Sequence, residues 1–320
     1  MNTLLAVRLA RKTLEAQDIC GLELVPLEGA ALPAFSAGAH VELHLPGGLV
    51  RPYSLCNDPA ETHRYQLGVL RDPASRGGSA AVHQQLQEGQ TLSISAPKNC
   101  FALVPGARRS LLLAGGIGIT PTLAMAEQLT RDGADFALHY SARSPARMAF
   151  RERIAASGFA SRVHCHFDDG NDAQKLDLQA LLAAPPADLH LYVCGPKGYM
   201  DAVLNTARSL GWKEEQLHWE FFGAEVLMAD GDTAFEVQLA STGQVVVVPR
   251  EKTIVQALAA AGVAVQTACE QGVCGTCLTR VLSGVPDHRD VYLTPEEQAA
   301  NDQLLPCCSR AKSERLVLAL

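Results

Sequence analysis

The sequence has little charge, few aromatic residues and no long apolar run. Of its 320 residues, 19% are charged, 5% are aromatic and 48% are hydrophobic, and this composition excludes a disordered chain. A net charge of −7 leaves no excess of positive charge that would attract nucleic acid or an anionic membrane. No apolar run reaches the roughly 18 residues that span a bilayer. We therefore expect a globular protein that binds neither nucleic acid nor a membrane.

The sequence also lacks a secretory signal. The apolar stretch before Arg8 is too short for the hydrophobic region of a signal peptide. We therefore expect a cytoplasmic protein. In that compartment the ten cysteines are more readily explained as thiols or metal ligands than as disulfides.

Half of the cysteines lie in the last fifth of the chain. They are Cys269, Cys274, Cys277, Cys307 and Cys308. The first three have the spacing C-x4-C-x2-C, which together with a later cysteine is typical of a plant-type [2Fe–2S] cluster. Gly272 and Gly275 would let backbone N–H groups approach the sulfur atoms. We predict a cluster held by the first three cysteines and Cys307. Cys308 is the alternative fourth ligand, and structural zinc is the alternative metal.

The chain length predicts about two domains, or three small ones. Residues 1–103 contain short alternating segments between turn residues, which predict an antiparallel barrel or sandwich. From Ser110 onward, apolar strands alternate with amphipathic helices, which predicts a parallel sheet. This periodicity is lost from Phe222 to Asp232, where we expect a linker to the cysteine-rich segment.

Two glycine-containing turns follow apolar strands of the predicted parallel sheet. The segment SLLLAGGIGITP contains Gly115, Gly116 and Gly118 and leads into a helix predicted to begin near Pro121. Such a turn lets a pyrophosphate approach the backbone at a helix N-terminus. It does not match G-x-G-x-x-G, so an ordinary turn without a ligand is the alternative. The second turn, YVCGP, ends at Pro196 and lies at the same predicted edge of the sheet.

Two polar segments in the first domain fit an anionic ligand. RPYSLCN, from Arg51 to Asn57, combines a cation, an aromatic ring and a hydroxyl, and SRGGS, from Ser75 to Ser79, offers a glycine turn with hydroxyls. Each segment alone is also consistent with an ordinary barrel turn. In the second domain, His164 and His166 alternate on one strand. We interpret them as partly exposed strand residues rather than metal ligands, since no third ligand is near in sequence.

The order of these motifs resembles that of the phthalate dioxygenase reductase family, which includes reductases of vanillate O-demethylase and phenoxybenzoate dioxygenase. The resemblance covers nearly the whole chain. It rests on RPYSLCN, GGS, GGIGITP, VCGP, EFFGA, CEQGVCGTC, PDHRD and CCSRAKSERLVLAL. It implies an FMN-binding antiparallel β-barrel domain over residues 1–103 and an NAD-binding α/β domain with a parallel sheet over 104–226. An α+β plant-type ferredoxin domain of the β-grasp type is implied over 227–320.

The resemblance also implies roles for residues that match the family's motifs. A flavin site is implied for Arg51, Pro52, Tyr53, Ser54, Gly77, Gly78 and Ser79. Thr120 would lie between flavin and nicotinamide, and a nicotinamide pocket is implied for Cys194, Gly195 and Pro196. Gly115, Gly116 and Gly118 remain the cofactor-binding glycines of the turn expected to approach the pyrophosphate. Phe222 matches an aromatic residue beside the flavin, although Phe222 and Tyr53 would also suit a core. The candidate catalytic residues are Ser54, Thr120, Cys194 and Phe222, with Arg51 on the flavin phosphate. The family pattern selects Cys307 as fourth cluster ligand and leaves Cys308 at a normally apolar position.

The resemblance implies electron transfer from NADH through FMN and the [2Fe–2S] cluster to a separate terminal oxygenase. A flavin is needed because a nicotinamide gives up two electrons together and the cluster accepts one. We expect a monomer that serves a Rieske-type oxygenase in aromatic catabolism. The alternatives are a reductase for a cytochrome P450 or di-iron oxygenase, a stand-alone reductase, and a non-catalytic nucleotide sensor with a zinc site. NADPH stays open because Arg143 lies where a 2′-phosphate would reach.

Overall fold

The structure is a computed structural model. It describes residues 4–27, 31–73, 77–222, 231–267, 272, 275–290 and 292–320. The backbone divides into two compact units, residues 1–222 and 223–320. Of the predicted linker, residues 223–230 lie outside the described residues. Within the part of the chain that the structure describes, no helix is both long and apolar enough to cross a membrane.

The first sheet of unit 1 is antiparallel and closes into a barrel. Its strands are β1 (Leu5–Ala16), β2 (Ile19–Pro26), β3 (Ala39–His44), β4 (Val50–Ser54), β5 (Tyr65–Leu70), β6 (Thr91–Ile94) and β7 (Lys98–Asn99). The strand order is β4-β3-β6-β1-β2-β5, and β7 pairs with β3. A bridge between Leu55 and Leu67 joins the two ends of this order, so the barrel prediction is confirmed and the sandwich is excluded.

A short helix within the barrel was not predicted from the sequence. Helix α1 (Gly78–Gln85) lies between β5 and β6 in the chain, where the sequence suggested only a glycine turn. It packs against the barrel core through Ala81 and Val82. The glycines of the GGS motif therefore lie at a helix N-terminus.

The second sheet of unit 1 is wholly parallel, as predicted. Its strands are β8 (Arg109–Gly115), β9 (Asp135–Ala142), β10 (Val163–Phe167), β11 (Leu189–Cys194) and β12 (Leu217–Glu220), in the order β10-β9-β8-β11-β12. The helices are α2 (Ile119–Arg131), α3 (Arg151–Ala155), α4 (Leu178–Leu182) and α5 (Lys197–Ser209). Leu112 and Tyr140 belong to the core that contains α2, and Leu113 and Val193 to the core that contains α5. Both faces are thus covered by helices. Leu123 and Met125 of α2 are fully buried packing residues.

Helix α2 begins two residues earlier than the sequence suggested. It starts at Ile119 and is preceded by a 3-10 turn over Gly116–Gly118, so Pro121 lies within its first turn. Proline is tolerated there because the first N–H groups of a helix have no partner within the helix.

Unit 2 is a mixed sheet with a helix on its core face. Its strands are β13 (Phe235–Leu239), β14 (Val245–Val248), β15 (Thr279–Ser283), β16 (Pro286–Asp287), β17 (Gln303–Leu304), β18 (Arg310–Ala311) and β19 (Arg315–Leu318). Its helices are α6 (Ile254–Ala260) and α7 (Pro295–Ala300). The main sheet has the order β14-β13-β19-β15-β17, with β13 and β19 parallel, and β16 pairs with β18. Ile254 and Leu258 of α6 fill the core over this sheet, which confirms the predicted α+β class.

Three histidines meet on β9 and β10. His139 Nδ1 lies 2.9 Å from His166 Nε2, and the His139 ring stacks on that of His164 with centroids 4.7 Å apart. The sequence did not reveal His139, because parallel strands bring together residues that are distant in the chain. Among the described side chains no group of three or more ligands has the geometry of a metal site. His164 is exposed and His166 is half-buried on β10, which agrees with their interpretation as partly exposed strand residues.

These histidines predict that acid destabilises unit 1. Burial, followed by repulsion from His164 and His166, lowers the pKa of His139 to about 4. The unfolded chain takes up this proton near pH 6.5, so the free energy of unfolding should fall as the pH drops from 6.5 towards 4. His139→Asn should flatten that decline in urea unfolding at pH 7 and pH 5. The matched control is His63→Asn, in an exposed loop, and equal slopes in the two variants would contradict the prediction.

Candidate functional site

The barrel and the parallel sheet meet at a polar contact. Ser54 Oγ, at the end of β4, donates a hydrogen bond of 3.2 Å to Glu220 Oε2, at the end of β12. Glu220 is the register partner of Cys194 at the end of β11. Because β11 and β12 are parallel, both residues lie at the carboxyl edge of the sheet, where open α/β sheets bind ligands. The structure thus brings Ser54 and Cys194 to one place, as expected.

Glu220 is a member of this site that sequence reasoning missed. It is the first residue of the quoted EFFGA motif, and a carboxylate at the end of a strand beside two aromatic residues was the available signal. Burial raises the pKa of its carboxyl to about 8, although the Ser54 hydrogen bond opposes the shift. Glu220 as a whole is only half-buried. The burial that raises its pKa is therefore that of the carboxyl end of the side chain. At neutral pH this carboxyl holds a proton.

The thiol of Cys194 is also uncharged. Burial raises its pKa well above the ordinary value, and the nearby Glu220 carboxyl raises it further. Ser54, Cys194 and Glu220 therefore form a group of hydrogen-bonding side chains without a net charge at neutral pH. Such a group suits an uncharged aromatic ring with polar edges better than an isolated ion.

The two glycine-containing turns pack directly against each other. A Cβ atom on Gly118 would collide with the carbonyl of Cys194, and one on Gly195 would lie 3.0 Å from Gly115 Cα. Gly118 and Gly195 are thus required for contact between the turns, and a Cβ on Gly115 would lie 3.1 Å from Pro196 Cδ in the second turn. Gly116 has a φ of +55° and open space where its Cβ would be, so it is the glycine available to a ligand. The sequence assigned all three to a pyrophosphate.

Thr120 lies where α2 touches the barrel. It is buried, and its Oγ1 donates a hydrogen bond of 3.0 Å to the Ile117 carbonyl. A Cβ on Gly68 of β5 would lie 2.7 Å from Thr120 Cγ2, so strand and helix are in close contact. Phe222 packs against the same core as Cys194. Thr120 and Phe222 therefore lie in the region where the barrel, α2 and the end of β11 come together.

The predicted phosphate-binding residues meet at the N-terminus of α1. A Cβ on Gly78 would lie 2.6 Å from Arg51 Cγ and 3.0 Å from its Nε, so the Arg51 side chain lies along the first turn. Gly77 precedes the helix with a φ of +91°, which favours glycine. The Ser79 hydroxyl accepts a hydrogen bond of 3.1 Å from the Asp72 N–H and keeps its own proton to donate. Helix N–H groups beside a guanidinium form an anion-binding arrangement.

Tyr53 and Pro52 lie next to Arg51 on β4. Tyr53 packs partly against the barrel core, and burial raises the pKa of its phenol. Pro52 pairs with Glu42 on the neighbouring strand β3. The whole RPYS segment thus forms one strand that runs from the N-terminus of α1 to Glu220.

Two of the four predicted cluster ligands lie within the described residues. Cys277 and Cys307 are buried and belong to one apolar cluster together with Leu293, Leu305 and Cys308. The other two, Cys269 and Cys274, lie outside the described residues. Cys308 lies in the same apolar cluster, and its thiol donates to the Leu305 carbonyl at 3.6 Å.

The glycines of the cysteine loop are tightly packed. A Cβ on Gly272 would lie 2.5 Å from Cys308 Sγ, and one on Gly275 would collide with the ring of Tyr292. Both glycines have positive φ, near +74° and +71°. Asp290 of the PDHRD motif supports this region, because its carboxylate accepts hydrogen bonds from Leu293 N at 2.8 Å and Ser309 Oγ at 3.3 Å.

Comparison with known proteins agrees with this geometry. Residues 237–312 match the family model of the 2Fe-2S iron-sulfur cluster binding domain. The chain is 57% identical over 307 residues to a vanillate O-demethylase oxidoreductase of Pseudomonas putida, which covers 96% of each chain. The structure of a phthalate dioxygenase reductase, described as modular for electron transfer from pyridine nucleotides to [2Fe–2S], superposes with a TM-score of 0.78. It has 39% identity and covers 99% of this chain and 98% of that one.

The chain belongs to the phthalate dioxygenase reductase family. It is an electron-transfer oxidoreductase with a [2Fe–2S] ferredoxin domain at its C-terminal end. The same fold also occurs within an intact type IV self-sufficient cytochrome P450 monooxygenase, with 38% identity and a TM-score of 0.80. That match covers 99% of this chain and 41% of the P450 protein.

The reductase has two buried hydroxyls at the carboxyl edge of its parallel sheet. Ser141 Oγ and Tyr199 OH make no hydrogen bond of ordinary geometry within the described ranges. The Ser141 hydroxyl is near enough to oppose the rise that burial causes in the pKa of Tyr199. The Tyr199 ring also packs on Gly115. The two hydroxyls are thus close to each other and beside Gly115, and as polar groups with weak hydrogen bonding they suit a polar ligand at this edge.

Close contact between the turns predicts a sharp effect of one methyl group. Gly118→Ala places a Cβ against the Cys194 carbonyl and should separate the turns, with a loss of about tenfold or more in affinity for the nicotinamide nucleotide. Gly198→Ala, in the first turn of α5 with open space around it, is the matched control and should leave binding unchanged. Titration of the two purified variants with a nicotinamide nucleotide checks this. Equal affinities would contradict it.

Proposed function

We propose that this reductase passes electrons from NADH through FMN and its [2Fe–2S] cluster to a separate terminal oxygenase of the Rieske type. The oxygenase acts on an aromatic compound, and the reductase works as a cytoplasmic monomer. The meeting of Ser54 with Glu220 and Cys194 carries the proposal, because it joins the candidate flavin strand to the candidate nicotinamide edge. The family, the match to a vanillate O-demethylase oxidoreductase and the reduced state expected of its thiols support it.

The proposed domains follow the sheets. The FMN domain comprises residues 1–103 with the barrel, the NAD domain 104–226 with the parallel sheet, and the ferredoxin domain 227–320. The division of the backbone at residues 222 and 223 supports the last boundary to within a few residues. The first boundary is supported by the change from antiparallel to parallel pairing between β7 and β8.

The residues of the barrel fit FMN. Arg51 and the first turn of α1, with Gly77, Gly78 and Ser79, would hold its phosphate. Tyr53 and Pro52 would line the ring, and Ser54 would face its reactive edge. A side chain at Gly78 would collide with Arg51, so the glycine lets the Arg51 side chain lie along the first turn, and this supports a phosphate site there.

The residues of the parallel sheet fit a nicotinamide nucleotide. Gly116 leaves backbone open to a ligand, and Cys194, Gly195 and Pro196 would line the nicotinamide pocket. Thr120 would lie between the flavin and the nicotinamide, and Phe222 would lie beside the flavin. Gly115 and Gly118 would act by holding the turns together. The Ser141 and Tyr199 hydroxyls offer two further polar groups that sequence analysis did not single out.

The cysteine region fits a [2Fe–2S] cluster. Cys277 and Cys307 are buried together, and Gly272 and Gly275 allow close approach of the backbone. The proposed ligands are Cys269, Cys274, Cys277 and Cys307. Packing of Cys308 against Gly272, with its thiol on the Leu305 carbonyl, supports Cys307 as the fourth ligand. The spacing and the matched family model support iron and sulfide over zinc.

When bound, the flavin supplies the exchange between a two-electron donor and a one-electron acceptor, which no side chain provides. The protein orients the two rings and excludes water from between them. Ser54 holds a hydroxyl proton at the flavin edge, and Glu220 accepts its hydrogen bond while keeping its own carboxyl proton at neutral pH. Cys194 places an uncharged thiol where the nicotinamide ring would bind. Positioning and electrostatics are thus the contribution of these residues.

Anaerobic mixing with NADH tests the proposal. The purified reductase should contain FMN, iron and acid-labile sulfide, and NADH should bleach the flavin and produce the EPR signal of a reduced [2Fe–2S] cluster. Cys307→Ser should lose this signal and keep flavin bleaching, because only the cluster loses a ligand. Cys308→Ser is the matched control and should keep both. Flavin bleaching without cluster reduction in the natural protein would contradict the proposal.

Glu220 predicts a pH dependence of flavin reduction by NADH. Its carboxyl is protonated below about pH 8 and charged above it, so the rate should change as the pH passes 8. Glu220→Gln keeps a neutral hydrogen-bonding group and should remove this inflection with a rate near the natural one at pH 7. Glu220→Ala leaves Ser54 without its partner and should slow the step about tenfold. Stopped-flow measurements from pH 6 to pH 9 check this, and an unchanged inflection in the Gln variant would contradict it.

A cytochrome P450 is the second candidate partner. The similarity to the reductase portion of a self-sufficient P450 monooxygenase favours it. Turnover with a purified Rieske oxygenase and with a purified P450 separates the two candidates. Comparison of NADH with NADPH decides the role of Arg143, which is exposed directly after β9.

A further inference from the structure

Helix α1 is too short to be stable by its own hydrogen bonds. It has eight residues, whereas isolated helices of fewer than about 12–15 residues are marginal in water. Its first residues are Gly78, Ser79 and Ala80, none of which is acidic, and no described side chain caps its N-terminus. The position of this helix must therefore be set by contacts with the barrel.

The strongest of these contacts is a lysine at the opposite end of the helix. Lys12 of β1 donates from Nζ to the carbonyls of Val82 at 2.8 Å, His83 at 2.8 Å and Leu86 at 2.9 Å. These carbonyls belong to the last turn and to the residue that follows it, so they lack helical N–H partners. The ammonium has three protons and donates to all three acceptors. A cation at this end also matches the negative end of the helix dipole.

His83 ties the same end of α1 to a second strand. Its Nε2 lies 2.9 Å from the carbonyl of Val69 on β5. The last turn is thus fixed to β1 by Lys12 and to β5 by His83. Together these bonds set the axis of the helix, and the axis sets where its first turn points.

The first turn points to Arg51. The close approach of the Arg51 side chain to Gly78 places a guanidinium beside the first N–H groups. A small rotation of α1 about its fixed end would move those N–H groups away from Arg51. The eight-residue helix is about 12 Å long, so the Lys12 ammonium is too far from the first turn to touch a ligand there.

We propose that Lys12 is a positioning residue for the phosphate of FMN. It holds the last turn of α1 so that the first-turn N–H groups and Arg51 converge on one anion. The inference rests on the proposed function, because it takes the N-terminus of α1 as the phosphate site. It assigns a role to a residue that no sequence motif singled out.

Riboflavin provides the test, because it has the ring of FMN and lacks the phosphate. Affinities of the flavin-depleted full chain for FMN and for riboflavin are measured by quenching of flavin fluorescence. Lys12→Met keeps the length of the side chain and removes its protons. It should weaken FMN binding about tenfold and leave riboflavin binding within about twofold. Lys12→Arg should recover part of the FMN affinity, because a guanidinium still donates to carbonyls.

Two further variants make the outcome decisive. Arg11→Met removes one positive charge from the neighbouring exposed position of β1 and should change neither affinity. Arg51→Met removes the proposed phosphate contact and should lower only the FMN affinity. Equal loss of both affinities in Lys12→Met, or no loss, would overturn the role of Lys12. If Arg51→Met also failed to distinguish the two flavins, the phosphate site itself would be wrong.

Discussion

The hydrogen bond between Ser54 and Glu220 is the constraint on which the candidate site depends. It joins the end of a barrel strand to the carboxyl edge of the parallel sheet, across 166 residues of sequence. The contact is polar, yet both partners are withdrawn from water, so each requires the other to satisfy its hydrogen-bonding groups. Glu220 remains protonated because charging it there would be costly. The end of β4 in the antiparallel barrel is thereby joined to the end of β12 in the parallel sheet.

The fold was predictable from the sequence wherever a periodic pattern was strong. The alternating segments of the barrel and the strand-helix rhythm of the parallel sheet gave the correct classes. The eight-residue helix α1 was missed because GGS reads locally as a turn and the remaining residues have little amphipathic contrast. The start of α2 was misplaced by two residues, since Pro121 occupies its first turn rather than its start.

The candidate site was predictable only for residues carried by a motif. Ser54 and Cys194 came together as expected, but Glu220, Ser141 and Tyr199 required the register of neighbouring strands and the first turn of α5. Lys12 and His139 likewise act through partners distant in sequence. Sequence patterns reveal what one segment presents, whereas these residues acquire their chemistry from the element packed against them. The role of the glycines shows the same point, because Gly115 and Gly118 serve contact between turns.

The direct packing of Gly118 on the Cys194 backbone has a consequence for how this scaffold can change. Two loops that touch main chain to main chain leave no intermediate layer of side chains to absorb a change in length. An insertion in either loop would have to be matched by a shift of its strand within the sheet. The sheet edge formed by these two turns should therefore tolerate few changes in loop length. Diversity among relatives should accumulate instead where side chains alone mediate the contacts.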